Sequence, residues 1–190
     1  MIARLVIAVL LALIALVRGY YMLRFGFRAM RVRKPRAWYD LLAEVGVLSV
    51  APIGGLYVLM GEQLPGTAVD EPLMRWGGII LFGAGVYLLW ASHHALAQQW
   101  TWDIGLREDH QVVRQGIYRF IRHPMYTAFG AWIIAMPFIT QSLLGVFPFI
   151  GLGGLYWRAS VEEELLTRTF SDEYEQYRKQ TGMFLPRFRF

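Results

Sequence analysis

From His123 to Trp157 the chain runs for 35 residues without Asp, Glu, Lys or Arg, and arginines stand at both ends of the run, Arg119 and Arg122 before it and Arg158 after it. A helix needs about 20 apolar residues to cross a hydrocarbon core, and that core offers no water to an open backbone. An uncharged run of this length, basic at each end, reads as two helices folded into a hairpin that returns the chain to the side it left. The polar cluster Thr140-Gln141-Ser142, midway along, is the expected turn.

Three apolar segments precede the hairpin, so the five candidate spans are Ile2–Val17, Leu41–Met60, Trp76–Ser92, Met125–Thr140 and Leu143–Trp157, the last two short. Hydrophobic residues make up 56% of the 190 and charged residues 17%, a balance that favours a bilayer protein over a soluble domain. The opening MIARLVIAVLLALIALV has the look of a signal peptide, but no small-x-small cleavage site follows it, and it reads as a retained anchor. The absence of cysteine excludes a disulfide framework, a thiolate zinc site and a cysteine nucleophile.

Charge sets the expected orientation. Arg18, Arg24, Arg28, Arg31, Arg33, Lys34 and Arg36 follow the first span with no acid before Asp40, which marks that connection as cytoplasmic. The second connection, GEQLPGTAVDEPLM, carries Glu62, Asp70 and Glu71 and no base, so it belongs outside. The third, residues 98–122, is basic again through Arg107, Arg114, Arg119 and Arg122. The expected fold is all-α, an integral membrane helical bundle of about five transmembrane helices with the N-terminus outside, the last two helices forming a hairpin. Its tail, VEEELLTRTFSDEYEQYRKQTG, spaces Leu166, Phe170, Tyr174 and Tyr177 as an amphipathic cytoplasmic helix, with a break placed at Ser171. Basic residues clustered this way mark topology and attract membrane lipids; nucleic acid is not an expected partner.

The hairpin also gathers chemistry. His123, Pro124 and Tyr126 begin its descent, and Arg158 ends its ascent with Glu162 at i+4 on the same helix face. Such a group offers a guanidinium to an anion, a carboxylate to an ammonium and an aromatic face to a cation. An amino-acid-bearing sulfonium presents those same features. Each piece also has a plain structural explanation: Pro124 suits a first helical turn, Arg119 and Arg122 suit membrane anchors, and Glu162-Glu163-Glu164 suit the start of a helix. His93 and His94 project about 100° apart on a helix and have no spaced carboxylate, so no metal is expected. The glycines of GAG at 83–85 and GLGG at 151–154 read as close helix packing rather than nucleotide loops.

Taken in order, HQVVRQGIYRFIRHPMY, the hydrophobic hairpin, RASVEEELL and FSDEYEQYRKQTGMFLP resemble the isoprenylcysteine carboxyl methyltransferase family. Phospholipid N-methyltransferases look similar over the same region, roughly Leu96 to Pro186. The resemblance implies S-adenosylmethionine as cofactor and S-adenosylhomocysteine as product. His110, Gln111, Val112, Val113, Tyr118, His123, Pro124, Met125, Tyr126 and Glu162 would contact the cofactor, and Arg158 and Glu163 would be catalytic, with Arg158 facing the acceptor. From the run of three glutamates, Glu162 and Glu163 are chosen by their spacing to Arg158. The expected organisation is one membrane domain, residues 1–95 supplying N-terminal helices and 96–190 the catalytic, cofactor-binding region.

The implied activity is methyl transfer to a lipophilic or lipidated acceptor arriving from the bilayer, foremost the carboxylate of an isoprenylcysteine-like substrate. A phospholipid or small-thiol methyltransferase, a sterol-type reductase using NADPH and a non-catalytic membrane protein are the alternatives. The expected setting is a multi-pass monomer in a bacterial inner membrane or the endoplasmic reticulum, its site facing the cytoplasm. Ala128 departs from the family's RHPxYxG pattern, and a methyl there is expected to narrow the approach to the cofactor.

Overall fold

The computed structural model describes residues 1–26, 32–67, 71–101 and 103–187. Of the charges used to orient the chain, Arg28, Arg31 and Asp70 lie outside these residues. The described part contains five α-helices: α1 (Ile2–Tyr21), α2 (Trp38–Met60), α3 (Pro72–Leu96), α4 (Pro124–Thr140) and α5 (Ile150–Gln180). The all-α expectation needs one addition, a two-residue antiparallel ribbon in which β1 (Val32–Arg33) pairs with β2 (Gly105–Leu106), joining the first and third connections.

Among the described residues, three helical stretches are long and apolar enough to cross a membrane: Ile2–Phe25, Trp38–Gln63 and Pro72–Leu96. The fourth, Pro124–Thr140, is shorter. The segment read as a fifth span from Leu143 to Trp157 is not one helix. Residues Leu143–Phe149 form a 3₁₀ segment containing Gly145 and Pro148, and only then does α5 begin. Proline removes an amide donor and glycine weakens the helix, which is why the α-helical turns start late. From Ile150, α5 runs on into the amphipathic tail, and Ser171 breaks it with φ 43 and ψ −118, at the expected position.

The hairpin turn is where the polar cluster placed it. Gln141 closes α4 with φ 51, a left-handed cap. Its side-chain amide donates to Glu71 O at 2.6 Å, and its oxygen accepts from Glu71 N at 2.9 Å and from Arg75 Nη2 at 3.2 Å. The turn and the acidic second connection therefore share one end of the bundle. Arg4 joins them there, donating to the Val58 and Leu59 carbonyls, both at 2.6 Å, in the last turn of α2. The ribbon, the third connection and the tail occupy the other end.

The hairpin is splayed, because α4 packs mainly on α3 while α5 packs mainly on α2. Small residues let the backbones approach. A β-carbon added at Gly85 would come within 2.6 Å of Trp132, one at Gly46 within 2.7 Å of Pro148 O, and one at Gly154 within 2.6 Å of Tyr39 O. Gly85 of GAG and Gly151 and Gly154 of GLGG thus pack as expected, whereas Gly153 has open space. Gly154→Val is expected to force α5 off α2 at a cost of about 1–3 kcal/mol. The check is the thermal unfolding midpoint in detergent, which should fall; an unchanged midpoint would refute the tight contact.

Candidate active site

His123 caps the start of α4 and Pro124 fills its first helical position, where a missing amide hydrogen costs nothing. The chain's C-terminal strap holds this start in place: His123 N donates to Met183 O at 3.0 Å, and the Thr127 hydroxyl donates to Phe184 O at 2.8 Å. One turn into α4, the Tyr126 ring lies nearly parallel to the His123 imidazole, with centroids 5.5 Å apart.

From α5 come Arg158, Glu162 and Glu163. The Tyr126 hydroxyl donates to Glu162 Oε2 at 2.9 Å, and His123 Nδ1 lies 3.9 Å from the same oxygen. Arg158 interacts with Tyr126 and pairs with Asp40 at the start of α2. The basic-proline beginning of the hairpin and its arginine-glutamate end are thus neighbours, despite the splay of the helices that carry them.

These side chains edge a cavity of about 190 Å³ at the end of the bundle opposite the hairpin turn. His110, Gln111, Val112, Val113, Tyr118, His123, Met125, Tyr126, Arg158 and Glu162 line it; Pro124 and Glu163 do not. Ala128 is fully buried in the hydrophobic core and is absent from the lining, so its methyl does not narrow the cavity, contrary to expectation. The His110–Val113 segment comes from the third connection, whose position is fixed by the buried guanidinium of Arg107 donating to Phe25 O at 2.9 Å and Trp100 O at 2.7 Å.

Glu163 faces the other way. Arg122 Nε donates to its Oε1 at 2.6 Å, His123 Nε2 stands 3.2 Å from that oxygen, and Arg178 Nε lies 3.3 Å from Oε2. Burial opposes its ionisation, but the hydrogen bonds and charges of His123 and Arg122 prevail and hold the carboxyl down at about 2. A carboxylate this stabilised is a weak proton acceptor at neutral pH. Because its folded pKa lies below the ordinary 4.5, the stability it contributes is present above pH 4.5 and is lost as pH falls towards 2. The unfolding midpoint should therefore fall more steeply across that window in the wild-type chain than in Glu163→Gln, and parallel curves would refute the ion-pair role. The third glutamate, Glu164, pairs with Arg168 on an exposed face.

The donor set suits a polar, cationic amino-acid cofactor. His110 Nδ1 and Gln99 Oε1 are buried at the cavity without hydrogen-bond partners among the described residues. Burial lowers the His110 pKa, with Glu162 opposing and Arg107 adding to the shift, so the ring is neutral. Buried polar atoms left this way want partners from a bound molecule. Glu162, its side chain 36% exposed, presents a carboxylate, and Tyr118, Tyr126 and Phe129 present aromatic surface.

Sequence reasoning missed contributions from the N-terminal helices. Arg18 of α1 lines the cavity with its guanidinium 5.5 Å from the Trp100 ring centre and 5.6 Å from that of Phe129. Ala43, Glu44 and Val47 of α2 form another wall. The only sequence signal was that Arg18 and Asp40 stand at span boundaries, as topology-marking charges also do. His93 and His94 do not act together: His93 is fully buried against Tyr21, with ring centres 4.5 Å apart, and exposed His94 stacks on Trp90.

The fold and cavity together define a class: a helical bundle with helices long and apolar enough to cross a membrane and a charged, aromatic cavity at one end. The comparisons narrow it. Residues 78–168 match the isoprenylcysteine carboxyl methyltransferase (ICMT) family. The protein-S-isoprenylcysteine O-methyltransferase of Schizosaccharomyces pombe is 40% identical over 85 residues, covering 42% of this chain and 34% of the relative. Its Saccharomyces cerevisiae counterpart is 28% identical over 113 residues, 57% of this chain and 47% of the relative. Methanethiol S-methyltransferase 1 of Bradyrhizobium diazoefficiens is 33% identical over 70 residues, 37% of this chain and 24% of the relative. The chain thus spans less than half the length of these curated relatives. Over residues 78–168 it is similar to the isoprenylcysteine carboxyl methyltransferase family.

Proposed function

We propose that the protein is an integral membrane methyltransferase that uses S-adenosylmethionine to methylate a lipophilic acceptor, foremost the carboxylate of an isoprenylcysteine-like substrate. The observation that carries this reading is the convergence of His123 and Tyr126 with Arg158 and Glu162 on one cavity, within a region of methyltransferase relatives. When bound, the cofactor supplies a sulfonium methyl: the acceptor's carboxylate oxygen bonds to that carbon as the carbon–sulfur bond breaks, leaving the electron pair on sulfur as S-adenosylhomocysteine.

The chain's own task is to bind, orient and exclude water. Glu162 would hold the cofactor's ammonium, Tyr118, Tyr126 and Met125 would offer aromatic and thioether surface to its sulfonium, and His110 to Val113 would bind the remainder. Arg158 holds one oxygen of the acceptor carboxylate. A carboxylate is already ionised at neutral pH, so no proton has to leave. Glu163 acts from behind the wall, fixing His123 through the contact at 3.2 Å.

We place the protein in the membrane as a five-crossing monomer whose tail helix and cavity face the cytoplasm, in a bacterial inner membrane or the endoplasmic reticulum. The polar cofactor then arrives from water and the lipophilic acceptor from the bilayer. Small-thiol methylation is the second reading, favoured by the methanethiol relative. A thiol must lose its proton, and His123 is one of the two imidazoles at the cavity wall, with His110 the other.

Titration of the detergent-solubilised protein with S-adenosylhomocysteine and with NADPH tests the cofactor, and stabilisation by the former alone is expected. Binding of NADPH instead would mean a reductase, and binding of neither a non-catalytic protein. Labelled methyl donor offered with an S-farnesylcysteine, phosphatidylethanolamine or methanethiol then identifies the acceptor.

A further inference from the structure

Asp40 lies outside the matched region 78–168, 118 residues from its partner Arg158 in sequence. It is 4% exposed, and the Arg158 side chain is 12% exposed. One Asp40 oxygen accepts from Ala37 N at 2.8 Å, tying the carboxylate to the first turn of α2. The other accepts from Arg158 Nη1. Arg158 interacts in turn with Tyr126, whose hydroxyl donates to Glu162. The acceptor-side arginine is thus tied to the backbone of α2 through Asp40.

The geometry points to Asp40 as the positioning residue of the site: it aims the Arg158 guanidinium at the acceptor. This rests on the reading that Arg158 faces the acceptor. A guanidinium on a long side chain has many rotamers, and a buried carboxylate fixed to a helix start selects one of them before the acceptor arrives. The N-terminal helices then do more than anchor the catalytic half, since α2 carries the aiming group.

Asp40→Glu tests this directly. Glutamate keeps the charge and suits the third helical position, where it can still accept from the Ala37 amide, but its extra methylene moves the guanidinium. Misplacement on the order of 1 Å costs up to about 10²-fold in rate. In the full-length protein in detergent, with labelled S-adenosylmethionine and an amine-blocked S-farnesylcysteine, Asp40→Glu should lower kcat at least about tenfold. Its S-adenosylhomocysteine affinity and unfolding midpoint should stay at wild-type values. Asp40→Asn, whose amide oxygen can still accept from Ala37, should lower kcat further and raise the acceptor KM.

Wild-type kcat and KM in Asp40→Glu would overturn the inference. So would a loss of activity that merely tracks a lower midpoint and weaker S-adenosylhomocysteine binding, because that is the mark of a structural ion pair. Full activity in Arg158→Ala would instead overturn the reading on which the inference rests, whereas an impaired Arg158→Ala beside a normal Asp40→Glu would remove only the role given to Asp40.

Discussion

Arg158→Ala is expected to cut methyl transfer on the order of 10²- to 10³-fold while the folded protein keeps its affinity for S-adenosylhomocysteine. Arg158 is the cation at the cavity wall in the place proposed for an acceptor carboxylate, and its loss takes away the group that orients the nucleophile. The same substitution strips Asp40 of a buried partner, and breaking a buried pair from one side costs about 3–5 kcal/mol. The unfolding midpoint should therefore fall as well, so activity is to be measured well below it, and cofactor affinity by calorimetry on the same sample. Parallel loss of turnover and cofactor affinity would place Arg158 in the cofactor's own shell.

Glu162→Ala is expected to do the reverse, weakening S-adenosylhomocysteine binding by about 1.5–3 kcal/mol, the usual worth of a hydrogen bond to a charged group. That is roughly 10- to 100-fold in Kd. The lower half of the range is the better expectation, because the carboxylate is 36% exposed and water screens it. Folding should survive, since the partner left behind is one tyrosine hydroxyl beside the cavity rather than a buried charge. Unchanged affinity in a binding titration would remove Glu162 from the site.

Much of this arrangement was legible because its signals are local. An uncharged run with arginines at both ends, a polar turn halfway and an arginine four residues before a glutamate can be read within single segments, and the structure places them as a hairpin around one cavity. The break at Ser171 was legible for the same reason. What could not be read is long-range. Nothing near Asp40 announces a partner 118 residues away, and Arg18 is one of seven bases in a stretch that topology alone accounts for. The α-helical start of the fifth segment was misjudged because hydropathy counts apolar residues without asking whether Gly145 and Pro148 let them form an α-helix at once. Glu163 was chosen by spacing, but on a helix adjacent positions diverge by about 100°, enough to turn one glutamate to the cavity and the next into the wall.

That divergence matters for anyone mapping this protein by genetics. Loss-of-function screens would score Glu162 and Glu163 alike, although the first fails by not capturing its ligand and the second by lowering the abundance of a protein that has lost the carboxylate shared by Arg122 and Arg178. Only assays that normalise signal to the quantity of protein in the membrane can tell these neighbouring defects apart.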